Sequence, residues 1–373
     1  MAQKETDNWY VIDNVGGVNS PALLVYPDRV KSNIQAAIEM TGGADRLRPH
    51  VKTHKMASVC QLMINAGICK FKCATIAEAE MLAHEGAPDV LLAYQPVGPA
   101  ISRFICLIQL FSTTRFSCLV DNEASLEAIA QKAEQSSVVV NLFIDLNVGM
   151  NRTGVKPERA LHLIEKIHSC EHVKLLGIHA YDGQIHESDP LKRKEEDFSC
   201  AAQAEQVLKD AEQRCGRKMT LVMGGTPTFP VYAKEKKDCE CSPGTFVFWD
   251  WGYAHLFPDE PFVYAALLLC RVISIVDDTH ITIDLGYKAV SSENPLPRVH
   301  FLNAPDAVPV MHSEEHMVLE VPTDNTYHIG DVLYGVPVHI CPAVALYDEA
   351  TVVSEHKAGM TWKVSARGRH ILV

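Results

Sequence analysis

The sequence predicts an α/β protein with a (β/α)8 barrel of the TIM type, followed by a C-terminal all-β domain. Between residues 21 and 257, short apolar runs alternate with amphipathic helical stretches. Eight strand candidates occur there in about 230 residues, which is the strand number and size of such a barrel. After Pro258 the long helical patterns cease, and β-rich runs separated by Pro and Gly follow.

The barrel elements are expected in a regular order. An apolar run at 22–26 and a helix at 30–40 open the region, and further helices are expected at 56–66, 76–85, 124–134, 157–168 and 191–214. The strand candidates are 45–52, 69–73, 90–94, 115–120, 138–146, 173–180, 219–223 and 245–248. A doubly wound open sheet is the alternative, less favoured because no Gly-rich dinucleotide loop follows the early strands.

The β domain is predicted from strand candidates at 262–276, 280–284, 317–321 and 332–338. An N-terminal segment, 9–11, is a candidate to pair with them. We therefore expect a barrel domain over residues 21–257 and a β domain over 258–373 that also includes residues 1–20.

Composition limits the classes of function. The chain is 47% hydrophobic and has a formal net charge of -12, which argues against nucleic acid or an anionic membrane as partner. Residues 1–10 are polar, without a secretion signal, and no apolar run is long enough to span a bilayer. The 12 cysteines have no disulfide-type spacing, so we expect reduced thiols and a cytoplasmic protein.

Lys52 is the candidate nucleophile because it lies at the end of the first strand candidate, within the cationic segment RPHVKTHK, residues 48–55. In a barrel, catalytic side chains lie where strands end. Neighbouring positive charge and partial burial disfavour an ammonium and leave an amine able to attack an aldehyde. The charge is expected from Arg48, His50, His54 and Lys55.

A Gly/Thr loop, GGTPT at 224–228, follows the seventh strand candidate. Its backbone N–H groups and hydroxyls suit a phosphate, and barrel phosphate sites favour the loops after strands seven and eight. A lysine together with a phosphate site indicates pyridoxal 5'-phosphate, whose aldehyde needs the amine.

An ordered set of motifs resembles the D-threonine aldolase and D-serine dehydratase family of pyridoxal-phosphate enzymes with an alanine-racemase-type barrel. The motifs span nearly the whole chain: RPHVKTHK (48–55), GMNRTG (149–154), YDG (181–183), GGTPT (224–228), DLGYKA (284–289), SEEH (313–316) and VHICP (338–342). The resemblance implies a (β/α)8 pyridoxal-phosphate-binding barrel, a D-amino acid substrate and a homodimer.

The resemblance also implies roles for individual residues. Lys52 would hold the cofactor covalently, Arg152 would lie near its phenolic oxygen, and Tyr181 would line the pocket. The phosphate would be faced by Gly225, Thr226 and Gly244. A divalent metal beside the substrate would be bound by His339 and Cys341.

The metal pair has a physical argument of its own. Residues i and i+2 of a strand project from one face, so His339 and Cys341 could reach one ion. A cysteine ligand favours zinc over manganese or magnesium, which prefer oxygen and remain alternatives.

Several positions depart from the family pattern and leave the exact substrate open. The family has Asn, Thr, Asn and Tyr where this chain has Val338, Ala343, Ala345 and Phe246. Alanine racemases have Arg where this chain has Ser242, and the serine fits a lyase better than a racemase.

The predicted activity is a metal-dependent lyase reaction on D-3-hydroxy amino acids. If Lys52 removes the α-proton, the metal-bound 3-hydroxyl leaves and the substrate is dehydrated. If a base such as His186 removes the hydroxyl proton, the Cα–Cβ bond breaks in a retro-aldol cleavage. The cysteine at position 341 favours dehydration slightly, because aldolases tend to have Asp there.

Two alternatives remain open at this stage. An amino-acid racemase needs a second base on the opposite face, for which Tyr287 and Tyr334 are candidates. A non-catalytic pyridoxal-phosphate-binding protein of the single-barrel type would lack the β domain, so the residues after Pro258 argue against it.

Overall fold

The computed structural model describes residues 8–236, 238–324 and 326–373, which divide into two compact units. The barrel unit consists of Ile34–Phe246 with the C-terminal Ser365–Val373. The β unit consists of Val247–Val364 with the N-terminal residues as far as Asn33.

The strands are β1 (Ala22–Val25), β2 (Lys70–Cys73), β3 (Asp89–Leu92), β4 (Arg115–Val120), β5 (Val140–Leu146), β6 (Val173–Ala180), β7 (Thr220–Met223), β8 (Cys239–Cys241), β9 (Ala266–Asp277), β10 (His280–Ile283), β11 (Val299–Phe301), β12 (Val308–His312), β13 (Met317–Glu320), β14 (Val332–Pro337), β15 (Glu349–Ser354) and β16 (Lys357–Lys363). The helices are α1 (Pro27–Thr41), α2 (Ala57–Asn65), α3 (Ile76–His84), α4 (Pro99–Leu110), α5 (Glu123–Gln135), α6 (Pro157–His168), α7 (Pro190–Cys215), α8 (Phe229–Glu235), α9 (Trp251–Leu256) and α10 (Ile340–Val344).

The barrel unit is built on a parallel sheet whose strands β2 to β8 are neighbours in chain order. Residues 47–50 connect the two edges of this sheet. The backbone N–H of Arg48 donates to the Cys241 carbonyl at 2.8 Å, and that of Lys72 donates to the Pro49 carbonyl at 2.8 Å. The predicted fold class is confirmed, because α-helices alternate with these parallel strands and a separate, mostly antiparallel sheet forms the β unit.

Two of the eight strand predictions for the barrel are wrong in detail. Residues 45–52 form only two isolated bridges, Leu47 with Cys241 and His50 with Lys72. Short 3-10 helices, Ala44–Arg46 and Val51–Thr53, occupy both ends of this segment and leave no room for a longer strand. Residues 245–248 contain a 3-10 helix, Thr245–Val247, and the last barrel strand is β8, which is too short to give an apolar run.

Local sequence signals define the helix starts. Thr75 accepts from the backbone N–H of Glu78 at 3.1 Å at the start of α3, and Asn122 accepts from that of Ser125 at 2.8 Å at the start of α5. Proline occupies the first turn of α4, α6, α7 and α8, where its missing N–H costs no hydrogen bond. These signals explain why helices were predicted more accurately than short strands.

The β unit is organised around β9, which pairs with β1, β10 and β14. The strand order of the longest path is β12-β13-β10-β9-β1-β15-β16, and the pairings are antiparallel except for β1 with β15. The apolar run at 22–26, expected at the start of the barrel, therefore forms β1 of this antiparallel sheet.

Residues 9–11 do not form a strand but pack on this sheet. Tyr10 and Ile12 are buried in a cluster with residues of β1, β9 and β14, and the Tyr334 hydroxyl oxygen accepts from the Ile12 backbone N–H at 3.2 Å. Within the described residues, no helix is long and apolar enough to cross a membrane. All 12 cysteines lie in the described part of the chain, and none is in a disulfide.

A buried ion network stabilises the barrel interior. Arg48 is 1% exposed and donates to Asp89 Oδ1 and to Glu240 Oε2, both at 2.7 Å. Although burial opposes it, the Arg48 guanidinium holds the pKa of Asp89 below its ordinary value. Because these groups lie in a closed interior, removing one charge would leave its partners without compensation.

We predict that Arg48→Met lowers the free energy of unfolding by about 3–5 kcal/mol, since Asp89 and Glu240 lose their one fully buried cation and keep only the more exposed Arg115 and Lys70. The control is Arg115→Met, because Arg115 also binds Asp89 but its side chain is 58% exposed. That variant should lose at most about 1 kcal/mol. Urea denaturation followed by tryptophan fluorescence measures both, and equal losses would contradict the prediction.

Candidate active site and metal-binding residues

Lys52 lies in the 3-10 helix Val51–Thr53, directly after the segment that connects the sheet edges. Its side chain is half-buried, and its backbone N–H donates to His50 Nδ1 at 3.4 Å. On the other side, His54 Nδ1 accepts from the backbone N–H of Met56 at 3.1 Å, just before α2. The two histidines therefore fix the backbone around Lys52.

The predicted source of positive charge around Lys52 is wrong. Burial, together with the charge of Lys52, lowers the pKa of His50 well below its ordinary value, and burial lowers the pKa of His54 to about 3. Both rings are therefore neutral at neutral pH. The two remaining cations are each ion-paired, Arg48 with Asp89 and Glu240, and Lys55 with Glu78.

Lys72 is a buried cation of the type expected near Lys52, although no role was predicted for it. It lies on β2, is 2% exposed, and donates from Nζ to Ser242 Oγ at 2.5 Å. Its Nζ is 3.5 Å from His179 Nε2. Burial and, next, the charge of Lys52 lower the pKa of Lys72 to about 7. A lysine between Phe71 and Cys73 in an apolar run was the available sequence signal.

His179 is held by a buried carboxylate. Its Nδ1 is 2.9 Å from Asp145 Oδ1, and burial lowers the pKa of His179. Although burial opposes the shift, the pKa of Asp145 is also lowered, by interactions with His179, Thr153 and Lys72 taken together. A neutral ring therefore donates from Nδ1 to ionised Asp145, which leaves Nε2 as an acceptor for Lys72.

Tyr181 lies at the end of β6 with cations near its ring. The guanidinium carbon of Arg152 is 5.4 Å from the ring centroid, and Lys72 Nζ is 5.6 Å from it, both within cation–π range. A Cβ on Gly183 or Gly225 would lie 2.1 Å or 2.9 Å from ring atoms of Tyr181. The ring therefore leaves little room for a side chain at either position, and the structure places Arg152 and Gly225 next to Tyr181.

The loops after β7 and β8 meet through Thr226. Its Oγ1 accepts from the backbone N–H groups of Gly244 and Thr245, both at 3.1 Å. A Cβ on Gly244 would lie 3.1 Å from the carbonyl oxygen of His50, two residues before Lys52. Thr226 and Gly244 thus lie against the segment that holds the candidate nucleophile.

The groups that are present fit pyridoxal phosphate. The cofactor needs an amine, which Lys52 offers half-buried, and an aromatic or apolar surface for its ring, which Tyr181 offers. It needs hydrogen-bond donors for its phosphate, and the Thr226 hydroxyl, which accepts from the Gly244 and Thr245 N–H groups, keeps its own proton to donate. His186 differs from the other candidates: its side chain is exposed, and no hydrogen bond among the described residues joins it to them.

The predicted metal ligands, His339 and Cys341, lie in a different local structure from the continuous strand that was expected. Strand β14 ends at Pro337, and His339 is the residue before the short helix α10, to which Cys341 belongs. The two side chains nevertheless hydrogen-bond to each other. The turn from strand to helix, and not the face of one strand, therefore brings them together.

Carboxylates surround this pair within the β unit. Glu293 hydrogen-bonds to His339 Nδ1, and buried Asp250 accepts from the backbone N–H of Ile340 at 3.1 Å. Burial raises the pKa of Asp250 to about 6. Although burial opposes it, Cys341, Asp250 and Glu293 raise the pKa of His339 to about 9.

These side chains fit a metal site in which the protein supplies only a few of the ligands. A carboxylate on one ring nitrogen is the usual support for a metal-binding histidine and leaves Nε2 for the ion. Among the described residues, no group of three or more His, Cys, Asp or Glu is arranged to hold an ion. Two protein ligands would leave several coordination positions to water or substrate.

Comparisons with known proteins identify both parts of the chain. Residues 25–249 match the family of the alanine racemase N-terminal domain, and residues 265–353 match the serine dehydratase domain. The chain is 28% identical over 371 residues to the D-threonine aldolase of Arthrobacter sp., covering 95% of this chain and 94% of the relative.

Solved structures give the same result. The D-threonine aldolase of Filomicrobium marinum has a TM-score of 0.86 and 25% identity, covering 94% of this chain and 96% of that chain. The D-threo-3-hydroxyaspartate dehydratase of Delftia sp. has a TM-score of 0.80 and 22% identity, covering 93% of this chain and 97% of that chain. That dehydratase has been solved with a histidine replaced by alanine and, in a metal-free form, with the cysteine two positions later replaced by alanine.

We predict that Thr226→Val lowers the free energy of unfolding by about 1–3 kcal/mol, because two buried backbone N–H groups lose their acceptor. Thr226→Ser keeps the hydroxyl and is the matched control, with a smaller loss. Urea denaturation without added cofactor measures both. Equal stability of the valine variant and the unmodified protein would show that the Thr226 hydroxyl does not hold the two loops together.

Proposed function

Since the chain belongs to the family of the alanine racemase N-terminal domain and continues into a serine dehydratase domain, as its motifs predicted, we propose that it is a lyase that uses pyridoxal phosphate and a divalent metal to act on D-3-hydroxy amino acids. One observation carries the proposal. The chain combines a barrel unit, in which Tyr181 adjoins Gly225 and Thr226 contacts Gly244 beside the segment of Lys52, with a β unit in which His339 and Cys341 interact. The reaction of a racemase, or the role of a cofactor carrier, does not require a metal-binding pair such as His339 and Cys341.

The barrel residues would hold the cofactor. Lys52 supplies the amine that bonds to the cofactor aldehyde. Arg152, as a planar guanidinium, suits the anionic phenolic oxygen, and Gly225, Thr226 and Gly244 suit the phosphate. Tyr181 lines the pocket with its ring fixed between glycines.

The β unit would hold the metal through His339 and Cys341. The relative from Delftia sp. supports this, since its histidine and cysteine have the same spacing and its cysteine variant was solved metal-free. A thiolate and an imidazole select a borderline ion, so zinc is proposed ahead of manganese or magnesium. When bound, pyridoxal phosphate accepts electrons from the bond broken at the substrate α-carbon, and the metal polarises the 3-hydroxyl.

Proton handling decides between the two lyase reactions. Removal of the α-proton by Lys52 leads to loss of the hydroxyl and hence dehydration, whereas removal of the hydroxyl proton leads to Cα–Cβ cleavage. His186 remains the proposed base for the second route; its side chain is exposed, and no hydrogen bond within the described part of the chain orients it. We favour dehydration slightly, because the second ligand is a cysteine.

We further propose that the protein acts in the cytoplasm as a homodimer. The reduced state of all 12 cysteines supports the compartment. In the expected division of the chain, residues 21–257 bind the cofactor and residues 258–373 bind the metal.

Borohydride reduction in the presence of pyridoxal phosphate should fix the cofactor to Lys52, and peptide mapping should locate it there. Lys52→Met should remove both the label and all turnover, because no other amine occupies its place. Lys55→Met is the control and should keep the label, since Lys55 is ion-paired with Glu78. A label found on Lys55, Lys72 or Lys288 instead would refute the assignment.

Chelation of the metal, or Cys341→Ala, should abolish lyase turnover while leaving the label on Lys52 unchanged. Cys341→Asp should keep a metal site and shift its preference towards manganese or magnesium, because oxygen replaces sulfur. The measurements are elemental analysis and product assays with D-serine, D-threonine and D-alanine. Full lyase turnover in metal-free protein would remove the metal from the mechanism, and turnover of D-alanine alone would favour a racemase.

A further inference from the structure

Below the candidate cofactor residues lies a buried polar layer that the proposed function does not use. It consists of His50, Lys72, Asp145, His179 and Ser242, each at most 8% exposed. These residues come from five different chain segments that line the barrel interior. We call this set the Lys72 layer.

Lys72 is the residue that joins the layer. Its ammonium donates to Ser242 Oγ and approaches His179 Nε2, while its backbone N–H donates to Pro49 beside His50. Asp145 extends the chain of hydrogen bonds through His179 Nδ1. A buried polar network of this kind specifies one arrangement only when every member is satisfied.

The neighbours of Lys72 are related to the proposed cofactor residues by a constant offset. Each of these neighbours lies two residues before a proposed cofactor residue on the same segment, so the Lys72 layer supports the cofactor residues. The pairs are His50 with Lys52, His179 with Tyr181, and Ser242 with Gly244.

From this geometry, and resting on the proposed function, we propose that Lys72 is a positioning residue for the cofactor site. It holds the segments of Lys52, Tyr181 and Gly244 in register, and its ammonium supplies the buried positive charge that attracts the anionic cofactor. The buried positive charge expected from Arg48, His50, His54 and Lys55 is thus supplied by a lysine from the next strand.

The charges that face Lys72 agree with this role. From the segment before α2 come Lys52, neutral His50 and the ion-paired Arg48, and from β5 comes ionised Asp145. From β6 comes neutral His179, and just after β6 comes Asp182, whose pKa is raised by burial. The carboxylates of Asp182 and, next, Asp145 both act to raise the pKa of Lys72, and a cation at Lys72 balances their charge.

The proposal predicts a pH dependence with a definite sign. Burial and the charge of Lys52 lower the pKa of Lys72 to about 7, so the ammonium is present below that pH and is lost above it. An anionic cofactor binds the ammonium form better, so the contribution of Lys72 to cofactor affinity should be full at low pH and should fall as the pH rises. A residue that only filled space would contribute equally at every pH.

The test is equilibrium binding of pyridoxal phosphate to full-length apoprotein between pH 6 and pH 9, followed by absorbance and tryptophan fluorescence. Lys72→Met should bind at least about tenfold more weakly than the unmodified protein at pH 6, a difference of about 1.4 kcal/mol. The difference should shrink to about twofold at pH 9, where the unmodified Lys72 is also neutral. Lys70→Met is the matched control, because Lys70 lies on the same strand but is ion-paired with Glu240 at 2.6 Å.

Each outcome has one meaning. A gap between Lys72→Met and the unmodified protein that is absent, or the same at every pH, would overturn the inference while leaving the proposed function intact. Unmodified protein that never bonds pyridoxal phosphate through Lys52 would instead overturn the proposed function. If Lys72→Met does not fold, Ser242→Ala serves: loss of the acceptor should move the fall in affinity to lower pH by about half a unit, and an unmoved profile would overturn the inference.

Discussion

Closure of the parallel sheet by residues 47–50 is the constraint on which the barrel unit depends. Two backbone hydrogen bonds, from Arg48 to Cys241 and from Lys72 to Pro49, join this segment to both edges of the sheet. The segment is too short and too irregular to count as a strand, yet it satisfies backbone groups that an open edge would leave without partners. Lys52 follows it directly, so the same closure fixes the place of the candidate nucleophile.

The barrel interior places its charges in two distinct sets. In one, Arg48 is neutralised by Asp89 and Glu240. In the other, Lys72 faces ionised Asp145 through neutral His179. Charges buried in a low-dielectric interior must be compensated, and Arg48 is compensated by two carboxylates of its own. The charge of Lys52 acts on Lys72 and lowers its pKa, so the two lysines are linked although they lie on different chain segments.

The metal-binding candidates show how a correct residue assignment can follow from a wrong local structure. His339 and Cys341 were paired on the assumption of a continuous strand, whereas β14 ends at Pro337 and a short helix follows. Asp250 accepts a backbone N–H at the start of that helix and so stabilises the turn that brings the two side chains together. Glu293 adds the carboxylate that orients the histidine ring, a contact 46 positions away in sequence.

The sequence by itself determined the fold class, the helices α1 to α3 and α5 to α7, and the strands β2 to β7, and it suggested the candidate residues Lys52, Tyr181, Thr226, His339 and Cys341. These depend on local periodicity, capping residues and contiguous motifs, which act over a few positions and can be read in one dimension. The tertiary structure alone decided that β1 belongs to the antiparallel sheet, that β8 completes the parallel one, and that Lys72, Asp145 and Glu293 adjoin the candidate sites. Strand pairing and the neutralisation of buried charge depend on which distant groups meet, and a side chain such as Lys72 acquires its role only from partners on other strands.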